Sequence, residues 1–286
     1  MEIIIGENAG FCYGVNRAVE NAIKEARMGI TYCLGEIVHN QNVIEKLEKA
    51  GVIFINNIEQ AKGKAIIRAH GVPKEVYEKA RKNNISLIDL TCPSVLKIQQ
   101  MVEDYSKKDF FIIIVGNNKH PEIIGIKSRA GNKCIVIADK MEIYEQWEKI
   151  QNEKNILLIS QTTHSSKKFD EIAEELKRQL KNNANLEIKK TICPSTEIRQ
   201  KETEEMAKKV EMMIIIGDKR SSNTNKLYEI SCKYCDKVLF IADENELDIR
   251  KIKDIKTIGI MAGASTPKED IIRVKNELEE VWLWNH

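Results

Sequence analysis

Three cysteines open the same short pattern, and thiolates repeated in that way can hold a metal centre. Thr91-Cys92-Pro93-Ser94 returns as Cys193-Pro194-Ser195. Laid without a gap, residues 92–116 and 193–217 agree at ten of twenty-five positions. Each copy runs Cys-Pro-Ser, an amphipathic helix, an apolar strand (Phe111-Ile112-Ile113-Ile114-Val115; Met213-Ile214-Ile215-Ile216) and a closing Gly. A weaker third copy opens on Cys12 and passes through Thr31-Tyr32-Cys33-Leu34 to Gly35. Four residues beyond each Gly stands a polar residue: His39, His120 and Ser221.

Three cysteines from three loops suit an iron–sulfur cluster or a zinc ion. Proline after Cys92 and Cys193 marks the first helical position, so each thiolate faces the positive end of a helix. Such an end stabilises the thiolate, and N–H donors aimed at sulfur tune a cluster's potential. A single cysteine there reads as a small buried residue, whereas the threefold register favours ligation. Cys33 and Cys134 fall within apolar strands and read as core. Cys232 and Cys235 form a CxxC with no second pair and no strand-turn context, so a structural or incidental role is expected.

His39, His70, His120 and His164 all follow strands, which points to a shared anionic ligand. Ser221-Ser222-Asn223 and Ser265 stand just before helices, whose first N–H groups accept phosphate. A Walker A lysine motif is absent, so a small diphosphate fits better than a nucleoside triphosphate. Glu122 by spacing alone is a first-turn glutamate favoured by the helix dipole. Beside a cluster and an anion it is also the carboxyl placed to carry a proton. Thr162 or Thr163 could hydrogen-bond a substrate hydroxyl, or merely cap the next helix. His164 is the weakest of the histidines, because its neighbours already form that cap.

The elements that must position these residues alternate strand and helix, which predicts an α/β fold of small parallel sheets covered by helices. In such sheets ligands sit at the strand C-termini, where the polar residues named above fall. At 286 residues, 42% hydrophobic and 31% charged, the chain exceeds one economical core. The repeat divides it into three α/β units, 13–92, 93–192 and 193–286, with the N-terminal strand 1–12 joining the third. A net charge of +2 argues against electrostatic capture of nucleic acid. No apolar run approaches a membrane span and the N-terminus is not a signal peptide, so a cytoplasmic location is expected. Seven cysteines there suggest metal or redox chemistry more than disulfides. Trp282 and Trp284 read as packing or docking of the last helix.

The motifs in order are Gly10-Phe11-Cys12-Tyr13-Gly14-Val15, Val38-His39-Asn40, Ala69-His70-Gly71, Thr91-Cys92-Pro93 and His120-Pro121-Glu122. Gln161-Thr162-Thr163, Cys193-Pro194, Ser221-Ser222-Asn223 and Ala262-Gly263-Ala264-Ser265 follow. Together they resemble the LytB/IspH family of hydroxymethylbutenyl diphosphate reductases over essentially the whole chain. The resemblance implies a trefoil of three α/β units around one 4Fe–4S cluster, ligated by Cys12, Cys92 and Cys193 with the fourth iron open to the substrate hydroxyl. It implies reductive removal of the allylic hydroxyl of (E)-4-hydroxy-3-methylbut-2-enyl diphosphate, giving isopentenyl and dimethylallyl diphosphate. Glu122 would supply a proton, with Thr162 and His120 beside it. His39, His70, His120, Ser221, Ser222, Asn223 and Ser265 would hold the diphosphate. The electrons would come from a small donor protein such as a ferredoxin or flavodoxin. A non-enzymatic iron–sulfur sensor would leave the His, Ser and Asn loops unexplained. A zinc hydrolase would have an unusually sulfur-rich site.

Overall fold

The structure, a computed structural model, describes residues 1–180, 184–252 and 255–284, except for the side chains of residues 249 and 281–284. The expectation for Trp282 and Trp284 therefore lies outside the described side chains. The chain begins β1 (Glu2–Ile5), α1 (Tyr13–Arg27), β2 (Thr31–Leu34), α2 (Gln41–Lys49), β3 (Val52–Ile55), β4 (Lys64–Ile67), α3 (Lys74–Lys82) and β5 (Ser86–Asp89). It continues with α4 (Pro93–Lys107), β6 (Phe111–Val115), α5 (Pro121–Ala130), β7 (Cys134–Ile137), α6 (Met141–Glu145), α7 (Trp147–Ile150) and β8 (Asn155–Ser160). The last part comprises α8 (Ser166–Leu180), β9 (Asn185–Ile188), α9 (Pro194–Ala207), β10 (Met212–Ile216), α10 (Ser222–Tyr234), β11 (Val238–Ile241), β12 (Thr257–Ala262) and α11 (Lys268–Trp284).

The strands form three parallel four-stranded sheets, β3-β2-β4-β5, β7-β6-β8-β9 and β11-β10-β12-β1. One order is used three times. The first strand of each repeat lies between the second and third, and the fourth is at the edge. In the last sheet β1 takes the fourth place, paired with β12 from Glu2 opposite Thr257 to Ile5 opposite Ile260. The residues form two compact units, one of Met1–Asn16, Val38–Lys46 and Pro194–His286, the other of Arg17–Ile37 and Leu47–Cys193. The first unit holds β11-β10-β12-β1 and the second holds the other two sheets.

Strands that are apolar at every position follow from burial on both faces. β6 is buried throughout. Phe111, Ile113 and Val115 pack with Phe169, Ile172 and Leu176 of α8, while Ile112 and Ile114 pack with Ile98 and Val102 of α4 and Ile123 and Ile126 of α5. β10 repeats the arrangement. Ile214 and Ile216 meet Ile271 and Val274 of α11, and Met213 and Ile215 meet Met206 of α9 and Leu227 of α10. The two-residue period of the strand divides each run between its covering layers.

α1 begins directly after Cys12, and Asn16 N–H already bonds the Cys12 carbonyl at 2.9 Å. The helical stretch around Trp147 is divided into α6 and α7 at Gln146. Each short helix docks through one fully buried isoleucine, Ile143 or Ile150.

The Gly that closes the first strand of each repeat has a packing reason. A Cβ at Gly35 would lie 2.6 Å from the Arg68 guanidinium, one at Gly116 3.0 Å from Gln161, and one at Gly217 2.8 Å from Thr266 Oγ1. Arg68, Gln161 and Thr266 all belong to the loop after the third strand of their sheet. Only hydrogen at the glycine lets that loop close over the neighbouring strand end. Gly116 alone of the three has no positive φ, so it isolates crowding from backbone strain. Gly116→Ala should lower unfolding stability by about 1–3 kcal/mol, read from the denaturant midpoint; an unchanged midpoint would show that the loop yields at no cost.

Candidate active site at the strand ends

The first and third strands are neighbours in every sheet, and there the connections diverge in opposite directions, which is where open α/β sheets bind ligands. The loops at their C-terminal ends carry the residues picked out above. In one sheet these are His39 and His70, in the next His120 and Thr162, and in the last Ser221 and Ser265.

His120 caps α5, its Nδ1 accepting the Glu122 N–H at 3.2 Å. An accepting Nδ1 leaves the ring proton on Nε2 as a donor. Pro121 at the first helical position then puts Glu122 in the first turn, 2% exposed. Both carboxylate oxygens are engaged by one residue. Thr162 N–H donates to Oε1 and Thr162 Oγ1 to Oε2, each at 2.7 Å. Burial pushes the Glu122 carboxyl up to about 7, against the pull of these two bonds from Thr162. Desolvation outweighs the hydrogen bonds, so the group holds a proton close to neutrality. The Thr162 hydroxyl, its hydrogen committed to Glu122, still has lone pairs to accept from another hydroxyl. Thr163 is turned elsewhere, accepting from the Gln161 amide at 3.0 Å.

The cysteines are anchored alike. Cys92 N–H donates to the Ala69 carbonyl at 2.9 Å, Cys193 N–H to Thr162 at 3.0 Å and Cys12 N–H to Ala264 at 3.3 Å. In every case the cysteine follows a fourth strand and bonds the loop after the third. Thr162 therefore occupies the place that Ala69 and Ala264 hold in the other repeats, with an added hydroxyl. Cys12, Cys92 and Cys193 form no disulfide and are partly exposed. Cys33 and Cys134, in contrast, are pushed up to about 12 by burial, so their thiols stay protonated as strand core. Cys235 is buried and Cys232 exposed, and the Cys235 thiol donates to the Lys237 carbonyl at 3.4 Å.

The rings of His70 and His120 stand edge to face with centroids 5.3 Å apart, which brings together loops from two sheets. Ser221 caps α10, accepting from Thr224 N–H at 3.3 Å, and Ser222 opens its first turn. Asn223 follows, 3% exposed, with neither amide atom bonded to protein. A buried amide with both ends free is costly, and a polar ligand at the helix end would satisfy it. Ser265 Oγ donates to the His39 carbonyl at 3.1 Å. His164 is buried near the Ser165 carbonyl and remains with the cap. Gln161, quoted within its motif, and Arg17 were given no role by the sequence. Gln161 Oε1 accepts the Asn117 N–H at 3.1 Å, joining the two loops, and Arg17 donates to the Thr91 carbonyl at 2.9 Å, just before Cys92. The available signal for Gln161 was the glycine whose Cβ space it fills.

The family model described as LytB protein matches residues 3–279. A 4-hydroxy-3-methylbut-2-enyl diphosphate reductase of Thermoanaerobacter sp. (strain X514) is 41% identical over 96% of each chain. The protein of that name from Clostridioides difficile (strain 630) is 38% identical over 98% of this chain and 100% of its own. A solved (E)-4-hydroxy-3-methyl-but-2-enyl diphosphate reductase, termed the terminal enzyme of the non-mevalonate pathway, superposes with TM-score 0.70 at 35% identity, covering 98% of this chain and 100% of that one. The E-1-hydroxy-2-methyl-but-2-enyl-4-diphosphate reductase from Plasmodium falciparum gives TM-score 0.87 at 28% identity, covering 96% and 87%. With a family match along almost the entire chain and relatives of equal length at this identity, the chain belongs to the LytB family.

Proposed function

We propose that the chain reduces (E)-4-hydroxy-3-methylbut-2-enyl diphosphate to isopentenyl and dimethylallyl diphosphate, the last step of the non-mevalonate isoprenoid pathway. The observation that carries this reading is the linkage of Glu122, Thr162 and Cys193. One threonine holds a proton-bearing carboxyl with its N–H and hydroxyl, and its carbonyl takes the N–H of a cysteine.

Cys12, Cys92 and Cys193 would hold one 4Fe–4S cluster with its fourth iron open. When bound, that cluster would relay two electrons singly from the external donor and offer a Lewis-acidic iron for the allylic hydroxyl. The balance requires two protons as well: the C–O bond breaks, one proton leaves with oxygen as water, and the other ends on carbon. Glu122 holds a proton near neutral pH, and Thr162 accepts from the substrate hydroxyl and keeps it in line with that carboxyl. Protonation at either end of the allyl unit gives the two products. His39, His70, His120, Ser221, Ser222, Asn223 and Ser265 hold the diphosphate, with Nε2–H of His120 and the free amide of Asn223 as donors. A buried glutamate beside bound diphosphate also excludes water from the proton path.

The division into units 13–92, 93–192 and 193–286, with 1–12 joined to the last, is supported by the strand order used three times. A ferredoxin or flavodoxin supplies the electrons, and the enzyme works in the cytoplasm, where its thiols remain reduced. Among the described residues no helix is long and apolar enough to cross a membrane.

Glu122→Gln should keep the visible spectrum of the cluster and lose about 10²–10⁴ in turnover; full activity would remove the proton role. Cys92→Ser should yield a bleached protein after anaerobic purification, and an unaltered visible spectrum would take Cys92 off the ligand set. A carboxyl raised to about 7 in the folded chain stabilises the fold below the ordinary carboxylate range and loses that contribution as pH rises through 7. The unfolding free energy, read from denaturant midpoints, should therefore fall between pH 5 and pH 8 by more in the parent than in Glu122→Gln, a difference of at most about 3 kcal/mol. Parallel curves for the two proteins would refute the raised carboxyl.

A further inference from the structure

Arg199 and Glu202 have no role in the reading above, yet both reach from α9 to the loop that carries Cys12. They are three residues apart and so share a helix face. Arg199 is 3% exposed. Its Nε donates to the Asn8 carbonyl at 2.7 Å and its Nη2 to the Gly10 carbonyl at 2.9 Å. Glu202 binds the start of the same loop, accepting the N–H of Glu7 at 2.5 Å and of Asn8 at 3.1 Å, and the Asn8 side-chain amide at 3.0 Å. Two opposite charges thus grip carbonyls and amides of one short stretch.

Cys12 needs that support more than the other two cysteines. Its own N–H bond is the longest of the three, 3.3 Å against 2.9 and 3.0 Å. Tyr13 follows it where Pro93 and Pro194 follow Cys92 and Cys193, so no ring fixes the start of α1. The loop turns at Gly10 with φ +96°, where a Cβ would lie 3.2 Å from the Thr266 carbonyl oxygen. A buried guanidinium is costly unless its donors find partners, and the loop carbonyls take those of Nε and Nη2.

We propose that Arg199 and Glu202 are positioning residues for Cys12, a two-residue clamp that holds its thiolate in place for the metal. This rests on the reading of Cys12 as a cluster ligand. The clamp acts on the backbone two to five residues before the cysteine, and α9 itself begins at Pro194, directly after Cys193.

The test uses the full-length, cluster-loaded protein under anaerobic conditions, as parent and as Arg199→Gln, Arg199→Lys and Glu202→Gln. Each is mixed with a ferrous chelator, loss of visible absorbance is followed, and aliquots are labelled with iodoacetamide and mapped by peptide mass. Arg199→Gln and Glu202→Gln should release iron about ten- to a hundredfold faster than the parent. Arg199→Lys, whose ammonium can keep one carbonyl bond, should fall between. In all three Cys12 should be alkylated ahead of Cys92 and Cys193, an order that general loosening of the fold would not produce. Parent-like iron release in every variant, or simultaneous labelling of the three cysteines, would overturn the clamp. Should Arg199→Gln fail to fold, Glu202→Gln and Arg199→Lys decide the matter. A Cys12→Ser protein that keeps its colour would defeat the ligand reading itself. One that bleaches while the clamp variants match the parent would defeat the clamp alone.

Discussion

The bond from each cysteine's N–H to the loop after its sheet's third strand is the constraint on which the candidate site depends. It is made three times, to Ala69, Thr162 and Ala264. It can be made only because the fourth strand runs beside the third and the chain leaves both at the same end. A helix then starts at once, so each sulfur stands at a helix N-terminus beside the loop that carries the neighbouring polar group. Repetition of a modest backbone bond gives three cysteines the same local setting.

One of these settings is modified. Where the other repeats have alanine, Thr162 adds a hydroxyl, and this hydroxyl and its N–H occupy both oxygens of Glu122. Two such hydrogen bonds would ordinarily hold a carboxyl low. Burial of the charge is the larger effect and carries the group to about 7, since a residue 2% exposed has little water to spread its charge. The same threonine therefore orients the acid without ionising it. The glycines at the first-strand ends serve this arrangement indirectly. Gly116 admits Gln161, which in turn ties the Asn117 loop to the Thr162 loop.

Much of this was legible in the amino-acid order, for physical reasons that differ by residue. The apolar runs at 111–115 and 212–216 are buried on both faces, so their composition alone marks them as inner strands. Pro93, Pro121 and Pro194 announce helix starts because the ring already has helical φ and the missing N–H would be unbonded there. The choice between Thr162 and Thr163 was not legible from spacing, since adjacent residues differ only in which way they face. Arg199 was equally hidden. In a polar helix an arginine reads as solvated surface, and only the carbonyls of Asn8 and Gly10, nearly two hundred residues earlier in the chain, bring it inside.

By itself the sequence determined the repeating unit, the strand and helix succession and where side chains of the types suited to metal, anion and proton fall along it. Those depend on side-chain type and on periodicities within a single element. Tertiary structure decided the strand order, and with it which loops become neighbours. Parallel strands of similar apolar character can pair in several orders, and the selection comes from how long crossover helices pack on both faces. It also decided that β1, at the opposite end of the chain, completes the last sheet, and that Glu122 meets Thr162 in a place dry enough to keep its proton.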